Sequence, residues 1–531
     1  MRRLTILFFV LFAPPLGAVK PTEPGRPLSL FDATKQALEK NHDIAIVRDS
    51  FQIAGASLKR ADGSYDPTFR LDARYRDHTD PVNSIFSGAV TPDLGPNYHD
   101  ATGAASVSQL LPTGGSMALS LSTARNRNLN TLVPLSASYS TSLGIDLRQP
   151  LLQGLAIDPA RRAIRVAKLE KDRSAASLKK TVADTVANVE RAYWSLVAAL
   201  RSASVAKKSV ALAEEQKTNT KARIEAGALP ESDLAQPLAE VERRRGELYA
   251  AEENAQQAEL VLKTLVLGDP ADPAWGETFV PSDEPDTPHR PVDLAEALSE
   301  AERSRPELKD AALTVARRDV ELDAAKDRVK PQLDLVASYA RRGLAGDTNP
   351  YFSSPFPIAA GVPPALSGGI GRSFGTVWDN EFPDASIGLA LSIPIGNRAA
   401  KADAVIAGAQ KRQALTALDQ RKQLVAVEVR NAVLALETAA QRLEAAKAGR
   451  AAAETQLRAE TDRYNVGLST NFFVLTRQNE LAAAELTETG ALTDYRKAQT
   501  SLARSMGTLL TERNIRITDD TPAFGPEGGS R

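Results

Sequence analysis

Pro67-Thr-Phe-Arg-Leu-Asp-Ala-Arg-Tyr75 returns 264 positions further along as Pro331-Gln-Leu-Asp-Leu-Val-Ala-Ser-Tyr339. In both stretches apolar residues take every second place: Phe69, Leu71, Ala73 and Tyr75, then Leu333, Leu335, Ala337 and Tyr339. A period of two predicts a β-strand with unlike faces. In the first stretch the other face carries Arg70, Asp72, Arg74 and Arg76. A dry core cannot take that face, because an unpaired charge away from water is too costly. A soluble sandwich could turn it outward. A membrane barrel would turn it to a water-filled lumen and give the apolar face to lipid, which makes these four residues the candidate lumen lining. Tyr75 and Tyr339 suit an aromatic girdle at a membrane interface.

The same register links other positions. Leu30, Ala33, Ala37, Asp43 and Ile44 correspond to Leu294, Ala297, Ala301, Glu307 and Leu308 at the offset of 264. The offset falls to 244 between Leu143-Gly-Ile-Asp-Leu-Arg-Gln-Pro150 and Ile387-Gly-Leu-Ala-Leu-Ser-Ile-Pro394, and to 240 between Ala226-Gly227 and Val466-Gly467. The chain is therefore two copies of one unit, with 20 additional residues among the strands of the first. Each copy reads helix, strands, long helix, turn, helix. Helices are expected over 29–62 and 293–328, and longer ones over 157–225 and 398–465. Val182, Val186, Val189, Tyr193, Leu196 and Leu200 step by four and three, as do Val425, Val429, Ala432, Leu436, Ala439 and Leu443. Such a seam belongs to helices lying side by side over a long distance. A helix of this size is about 100 Å long at 1.5 Å per residue. The shorter helices of each copy would stack end to end to the same height.

Prolines 67 and 331 stand where helix passes to strand, and prolines 150 and 394 where strand passes to helix. Long polar loops are expected over 80–100, 126–135 and 343–382. The additional segment 106–124, with Leu111-Pro-Thr-Gly-Gly115 at its centre, reads as a β-hairpin, either within a barrel or packed beneath it. The organisation is thus a first repeat over 19–267, a linker over 268–292, a second repeat over 293–510 and a flexible tail over 511–531. Residues 1–18 read as a secretory signal: Arg2-Arg3, an apolar run from Leu4 to Phe12, then Gly17-Ala18.

The 531 residues carry 65 Lys and Arg against 66 Asp and Glu, which gives no global field for nucleic acid. There are no cysteines, which rules out disulfides, thiolate metal sites and a lipidated N-terminal cysteine. No later stretch reaches the length of a spanning helix, so a route through a membrane must be a β-barrel. His42, His78, His99 and His289 have no ligand spacing. Gly369-Ile-Gly371-Arg-Ser-Phe-Gly375 lacks the spacing of a phosphate loop and reads as a surface loop. No catalytic motif, cofactor or metal site is expected.

Two helix-to-helix turns remain, Arg223-Ile-Glu-Ala-Gly227-Ala-Leu-Pro-Glu-Ser-Asp233 and Arg463-Tyr-Asn-Val-Gly467-Leu-Ser-Thr-Asn-Phe-Phe473. Each glycine suits a left-handed helix cap. With these turns, the duplicated plan and the proline-marked strands, the chain resembles the TolC family of outer-membrane efflux proteins. The resemblance implies an α+β, mainly α fold: a homotrimer with four strands from each protomer in a 12-stranded outer-membrane barrel, continued by a periplasmic α-helical coiled-coil barrel. It implies the outer membrane of a Gram-negative bacterium, a periplasmic adaptor and, through it, an inner-membrane transporter of an efflux or type I secretion system. Gly227, Leu229, Gly467, Leu468, Ser469 and Thr470 carry over as adaptor contacts. Some relatives close the channel with an aspartate ring after the second turn. Here Phe473 and Thr476 hold those places, and Asp233 holds the matching one in the first copy. A constriction formed by Phe472 or Phe473 is a substitute, since an apolar ring closes a pore by dewetting; the alternative puts both rings in the interhelix seam. A different class of reading, a non-channel periplasmic coiled-coil scaffold or adaptor, explains the helices but not the arginine-lined strands.

Overall fold

The computed structural model describes residues 25–81, 96–128, 132–227, 230–284, 291–352, 362–518 and 521–524. The signal segment 1–18, Leu229 and the last seven residues lie outside these. The chain divides into two compact units. Each draws on both sequence repeats, so the repeats of the sequence are not the units of packing.

The first unit holds residues up to Ile46, Thr181–Ser304 and Ala426 onward. It begins with strand β1 (Arg26–Leu28) and helix α1 (Leu30–Lys40). Ser29 caps α1 by accepting the Asp32 N–H at 3.0 Å. The expected single helix over 29–62 breaks at Asn41. Its Oδ1 accepts from the Asp43 N–H at 3.0 Å and its Nδ2 donates to the Leu265 carbonyl at 3.2 Å, so one side chain both starts the next helix, α2 (His42–Asp62), and ties the junction down. The equivalent break in the second copy falls 264 positions on, at Arg305. There Pro306 opens a new helix from the N1 position, where its missing N–H costs nothing.

Helix α3 (Pro159–Glu225) and helix α4 (Ala235–Val266) follow in chain order. Val182, Val186, Val189, Tyr193 and Leu196 of α3 are all fully buried. Tyr193, Trp194, Leu262, Val266, Phe279 and Leu28 lie in one core cluster. Residues 268–284 of the linker are not a loose connection. Its strand β6 (Phe279–Pro281) pairs in parallel with β1, and the Tyr193 hydroxyl donates to the Asp283 carboxylate at 2.6 Å. Burial and that carboxylate push the tyrosine pKa up. Buried Lys263 donates to the carbonyls of Trp275 and Glu277 at 3.0 and 2.6 Å.

The expectation of a flexible tail over 511–531 is corrected for residues 511–518 and 521–524. After helix α9 (Asn471–Met506), helix α10 (Leu509–Glu512) leads to a hairpin of β9 (Ile515–Thr518) and β10 (Thr521–Phe524). The Phe524 ring lies 4.3 Å from that of Phe31. Arg513 donates through Nε and Nη2 to Glu190 at 2.5 and 3.0 Å, and the Thr500 hydroxyl donates to the same carboxylate. Glu190 is 1% exposed. Removing one member of a buried ion pair is strongly destabilising, by about 3–5 kcal/mol, because the partner charge stays behind. Arg513 keeps some contact with water, so Glu190→Ala is expected to cost about 3 kcal/mol, the lower end of that range. Limited proteolysis should report it as faster cleavage after Met506; unchanged protection would show that the pair does not hold the terminal hairpin.

The second unit holds Val47–Lys180 and Arg305–Val425. It contains α2 from Val47 onward, helix α6 (Pro306–Val329), the first part of α3 and of α8 (Arg398–Asn465), and one antiparallel sheet. Helix α5 (Leu294–Ser304) belongs to the first unit. Four strands were expected in the sheet; six are present. They are β2 (Thr68–Thr79), β3 (Asn97–Leu110), β4 (Ser116–Asn128), β5 (Leu135–Pro150), β7 (Gln332–Thr348) and β8 (Phe382–Ser392), hydrogen-bonded in that order. The additional segment of the first copy is the source of the surplus. Its hairpin, β3 and β4, lies in the sheet between β2 and β5, so the packed-beneath alternative is excluded. The hairpin turn is built to stay there. Leu111 N–H donates to the Gly115 carbonyl at 2.8 Å, Thr113 and Gln149 exchange hydrogen bonds at 2.7 and 3.0 Å, and Gly114 has φ +86°. A Cβ on Gly114 would stand 2.5 Å from the Gly154 carbonyl oxygen.

Between β7 and β8 lies helix α7 (Ile370–Trp378), where the sequence reading placed a surface loop. The Ser373 hydroxyl donates to Thr141 Oγ1 at 2.9 Å and the Leu344 N–H donates to Thr376 Oγ1 at 3.2 Å. The helix is thus seated on β5 and β7, which the glycine-rich sequence does not disclose. The parts of 82–95, 129–131 and 353–361 that were expected as loops lie outside the described residues.

Candidate pore wall and helix-tip turns

The sheet register sorts its residues into two faces. Phe69, Val107, Leu119, Ile145, Tyr339 and Ala385 form one row across all six strands. The adjacent row, Arg70, Ser106, Ser120, Gly144, Ala340 and Asp384, points the other way. The pattern repeats across β2 to β5 with Leu71, Ala105, Leu121 and Leu143 against Asp72, Ala104, Ser122 and Ser142; on β7 and β8 the first row continues to Arg341 and Pro383 and the second to Arg342 and Phe382. Odd-numbered residues make one face mainly apolar, with Arg125, Arg127 and Arg341 among the exceptions, and even-numbered residues make the other mainly polar or small, with Val336, Leu344 and Phe382 among the exceptions. The four lumen candidates therefore share a face. Arg70 Nε donates to Asp72 at 2.7 Å and Arg342 to Asp384 at 2.5 Å. Arg148 meets buried Asp334 at 2.6 Å, with Gln332 donating to the same oxygen at 2.9 Å. Thr102, Ser122, Ser140, Ser142 and Arg342 line a hollow of about 860 Å³. On the odd face Phe69, Leu71, Tyr75, Ile387, Leu389 and Leu391 are exposed, Ile387 to 79%. So much bare apolar surface on one side of a sheet calls for a covering medium.

The turn glycines take the expected conformation, with φ +74° at Gly227 and +81° at Gly467. The second turn is a Schellman cap: the Leu468 N–H donates to the Arg463 carbonyl at 2.9 Å and the Gly467 N–H to Tyr464 at 3.1 Å. The Gly227 N–H donates to the Ile224 carbonyl at 2.9 Å. Leu468 is 80% exposed. The Ser469 hydroxyl donates to Glu460, and Thr470, extended, is the N-cap residue of α9. The two turns are joined, which the sequence did not signal: the Arg223 guanidinium stands 4.6 Å from the centre of the Tyr464 ring. Asp233 is exposed in a single 3-10 turn (Glu231–Leu234). Phe472 and Phe473 are exposed, their rings edge to face at 5.6 Å. The next two residues, Val474 and Leu475, are buried within the chain. Among the described residues no cluster of His, Asp and Glu could hold a metal ion, and no helix is long and apolar enough to cross a membrane.

The sequence profile of the outer membrane efflux proteins matches residues 104–266 and 297–508, together well over half of the chain. The chain belongs to the outer membrane efflux protein family. The match starts inside β3 and ends beyond α9, so it takes in the inner strands, both long helices and both tip turns. Members of this outer membrane efflux family are transport channels. No curated protein sequence matches the chain. Among solved structures it is similar to the Campylobacter jejuni CmeC outer membrane channel, at 16% identity and a TM-score of 0.62, over 90% of this chain and 86% of that one. It is similar to the outer-membrane channel OprN at 18% identity and 0.61, over 90% of each chain. It also resembles the open state of the Neisseria gonorrhoeae MtrE outer membrane channel, at 18% identity and 0.59, over 90% and 89%. At these identities the likeness establishes a shared fold.

Proposed function

We propose that this efflux-family chain is the exit duct of an export system, passing cargo from an inner-membrane pump across the periplasm and the outer membrane. The observation that carries the reading is the division of the sheet into an apolar odd face and a polar even face, in a chain whose fold is that of outer-membrane channels. The even face, with Arg70, Asp72, Arg74 and Arg76, lines the water-filled lumen, and the odd face meets lipid. The duct works as a homotrimer. A lone sheet would leave the outer edges of β2 and β8 unpaired in lipid, at several kcal/mol for each backbone group. Helical apolar side chains left bare, such as Leu238, Tyr249, Leu424 and Leu434, suit burial against neighbouring copies.

The tip turns dock a periplasmic adaptor through Gly227, Leu229, Gly467, Leu468, Ser469 and Thr470. The bare Leu468 supports this, as an exposed apolar anchor held on a fixed cap. Phe472 and Phe473 close the periplasmic end as an apolar ring, with Asp233 near the other turn. The protein provides a path and no reaction. The channel reading is favoured over a periplasmic scaffold because a scaffold has no use for a two-faced sheet with an uncovered apolar side.

Single cysteines test the wall, since the chain has none of its own. Arg70→Cys, Arg74→Cys and Arg76→Cys in outer-membrane vesicles should react with a membrane-impermeant maleimide. Phe69→Cys and Leu71→Cys should react at least tenfold more slowly. Equal labelling of the two sets would sink the barrel.

A further inference from the structure

Resting on the duct reading above, we propose that the closed barrel has eighteen strands, six from each of three copies, rather than twelve, and that the β3–β4 hairpin is a wall insertion that widens its lumen.

The hairpin is continuous with the wall on both sides. β2 pairs with β3 from Thr68–Ser108 to Thr79–Asn97, β3 with β4 from Leu110–Ser116 to Tyr98–Asn128, and β4 with β5 from Ser116–Arg148 to Asn126–Ser138. None of these ladders contains a register shift. The hairpin also keeps the face pattern of the other strands. Val107, Leu119 and Leu121 join the apolar side; Ser106, Ser120 and Ser122 join the polar side. A hairpin folded over the mouth or against the helices would have no reason to alternate in step with the wall.

Strand direction explains why the insertion is tolerated. All five ladders of the sheet are antiparallel, so with six strands the edges β2 and β8 run in opposite directions. β8 of one copy can then continue the antiparallel sheet into β2 of the next. Two inserted strands preserve that relation, whereas one would reverse it. The edges are of similar length, 12 and 11 residues, and β8 is exposed along its whole length. A second copy is the occupant that extends both faces in phase.

Width follows from strand number. With strands about 4.8 Å apart and tilted about 40°, twelve enclose a backbone diameter of about 24 Å and eighteen about 36 Å. Allowing about 5 Å for side chains on each side, the open cross-section grows about threefold. From Thr102 to Ser108 and from Ser116 to Ala124 the inserted strands face the lumen with serine, threonine and alanine, which occupy little of the gained space. A barrel of that width does not sieve small solutes; selection has to be made elsewhere along the path.

The test places single cysteines in the intact chain at Ser106 and Ser120, and at Val107 and Leu119, alongside the β2 set. Ser106→Cys and Ser120→Cys should label with the impermeant maleimide as readily as Arg70→Cys. Val107→Cys and Leu119→Cys should label at least tenfold more slowly, and a fluorophore attached there should be quenched by nitroxide lipids. Face alternation in β2 with none in β3 and β4 would overturn the wide barrel and leave the duct standing. Loss of alternation in β2 as well would overturn the duct itself. Electron cryomicroscopy of the purified oligomer should count eighteen wall strands; twelve, with the hairpin outside the wall, would refute the proposal.

Discussion

Ile145→Arg should abolish assembly in the outer membrane, while Ser120→Arg, in the next row on the opposite face, should leave it intact. Ile145 lies in a row with Phe69, Val107, Leu119 and Tyr339, on the face proposed to meet lipid. An arginine on the lipid face of a barrel costs about 2–4 kcal/mol at the bilayer midplane. Every copy in the oligomer adds the same penalty. Since folded proteins stand only about 5–15 kcal/mol above their unfolded state, a symmetric barrel has little margin against it. Ser120 shares its row with Arg70 and Asp384, and a further charge there remains in water. The measurement is the yield of detergent-extracted, heat-modifiable oligomer from the outer-membrane fraction. Equal yields from the two variants would mean that the odd face does not meet lipid.

The second large effect concerns the tips. Gly467→Val and Gly227→Val together are expected to remove export while leaving oligomer yield unchanged. Both glycines hold positive φ, where a Cβ costs about 1–2 kcal/mol. Neither has a neighbouring atom for a Cβ to strike, so the cost is backbone strain alone and the helices retain their own packing. The strain falls on the cap that presents Leu468, whose N–H closes the Schellman motif onto Arg463. A valine there should unwind that cap and disperse Leu468, Ser469 and Thr470. Compensating substitutions in the adaptor should restore part of the transport if contact is the defect. Wild-type export by the double variant would refute the docking role.

Regular periodicity made the long helices legible in the sequence. The helix expected over 398–465 is found over Arg398–Asn465, and that expected from 157 begins at Pro159. The seam drifts slightly: Val433 rather than Ala432 is buried, as 3.6 residues per turn slip against a repeat of 3.5. Prolines marked the strand ends because their constraint is local. What the sequence concealed depends on distant partners. The linker and tail look loose because Pro, Asp and Gly are common in them, yet β6 is ordered by β1, some 250 residues away, and Phe524 by Phe31. Helix α7 reads as a loop from its two glycines and the one before it, and is held by Thr141 and Leu344. The count of four strands came from the family resemblance, and the place of the hairpin in the 20 additional residues stayed open because they have no counterpart in the second copy. At the tips, left-handed glycines could be anticipated from their place after a helix, whereas the Arg223–Tyr464 contact joins residues with no sequence pattern between them.

The most direct test of the duct is to fractionate cells producing the unaltered chain. The protein should sediment with the outer membrane, be released only by detergent and migrate as a heat-modifiable oligomer. Recovery as a soluble monomer from the periplasm would contradict it.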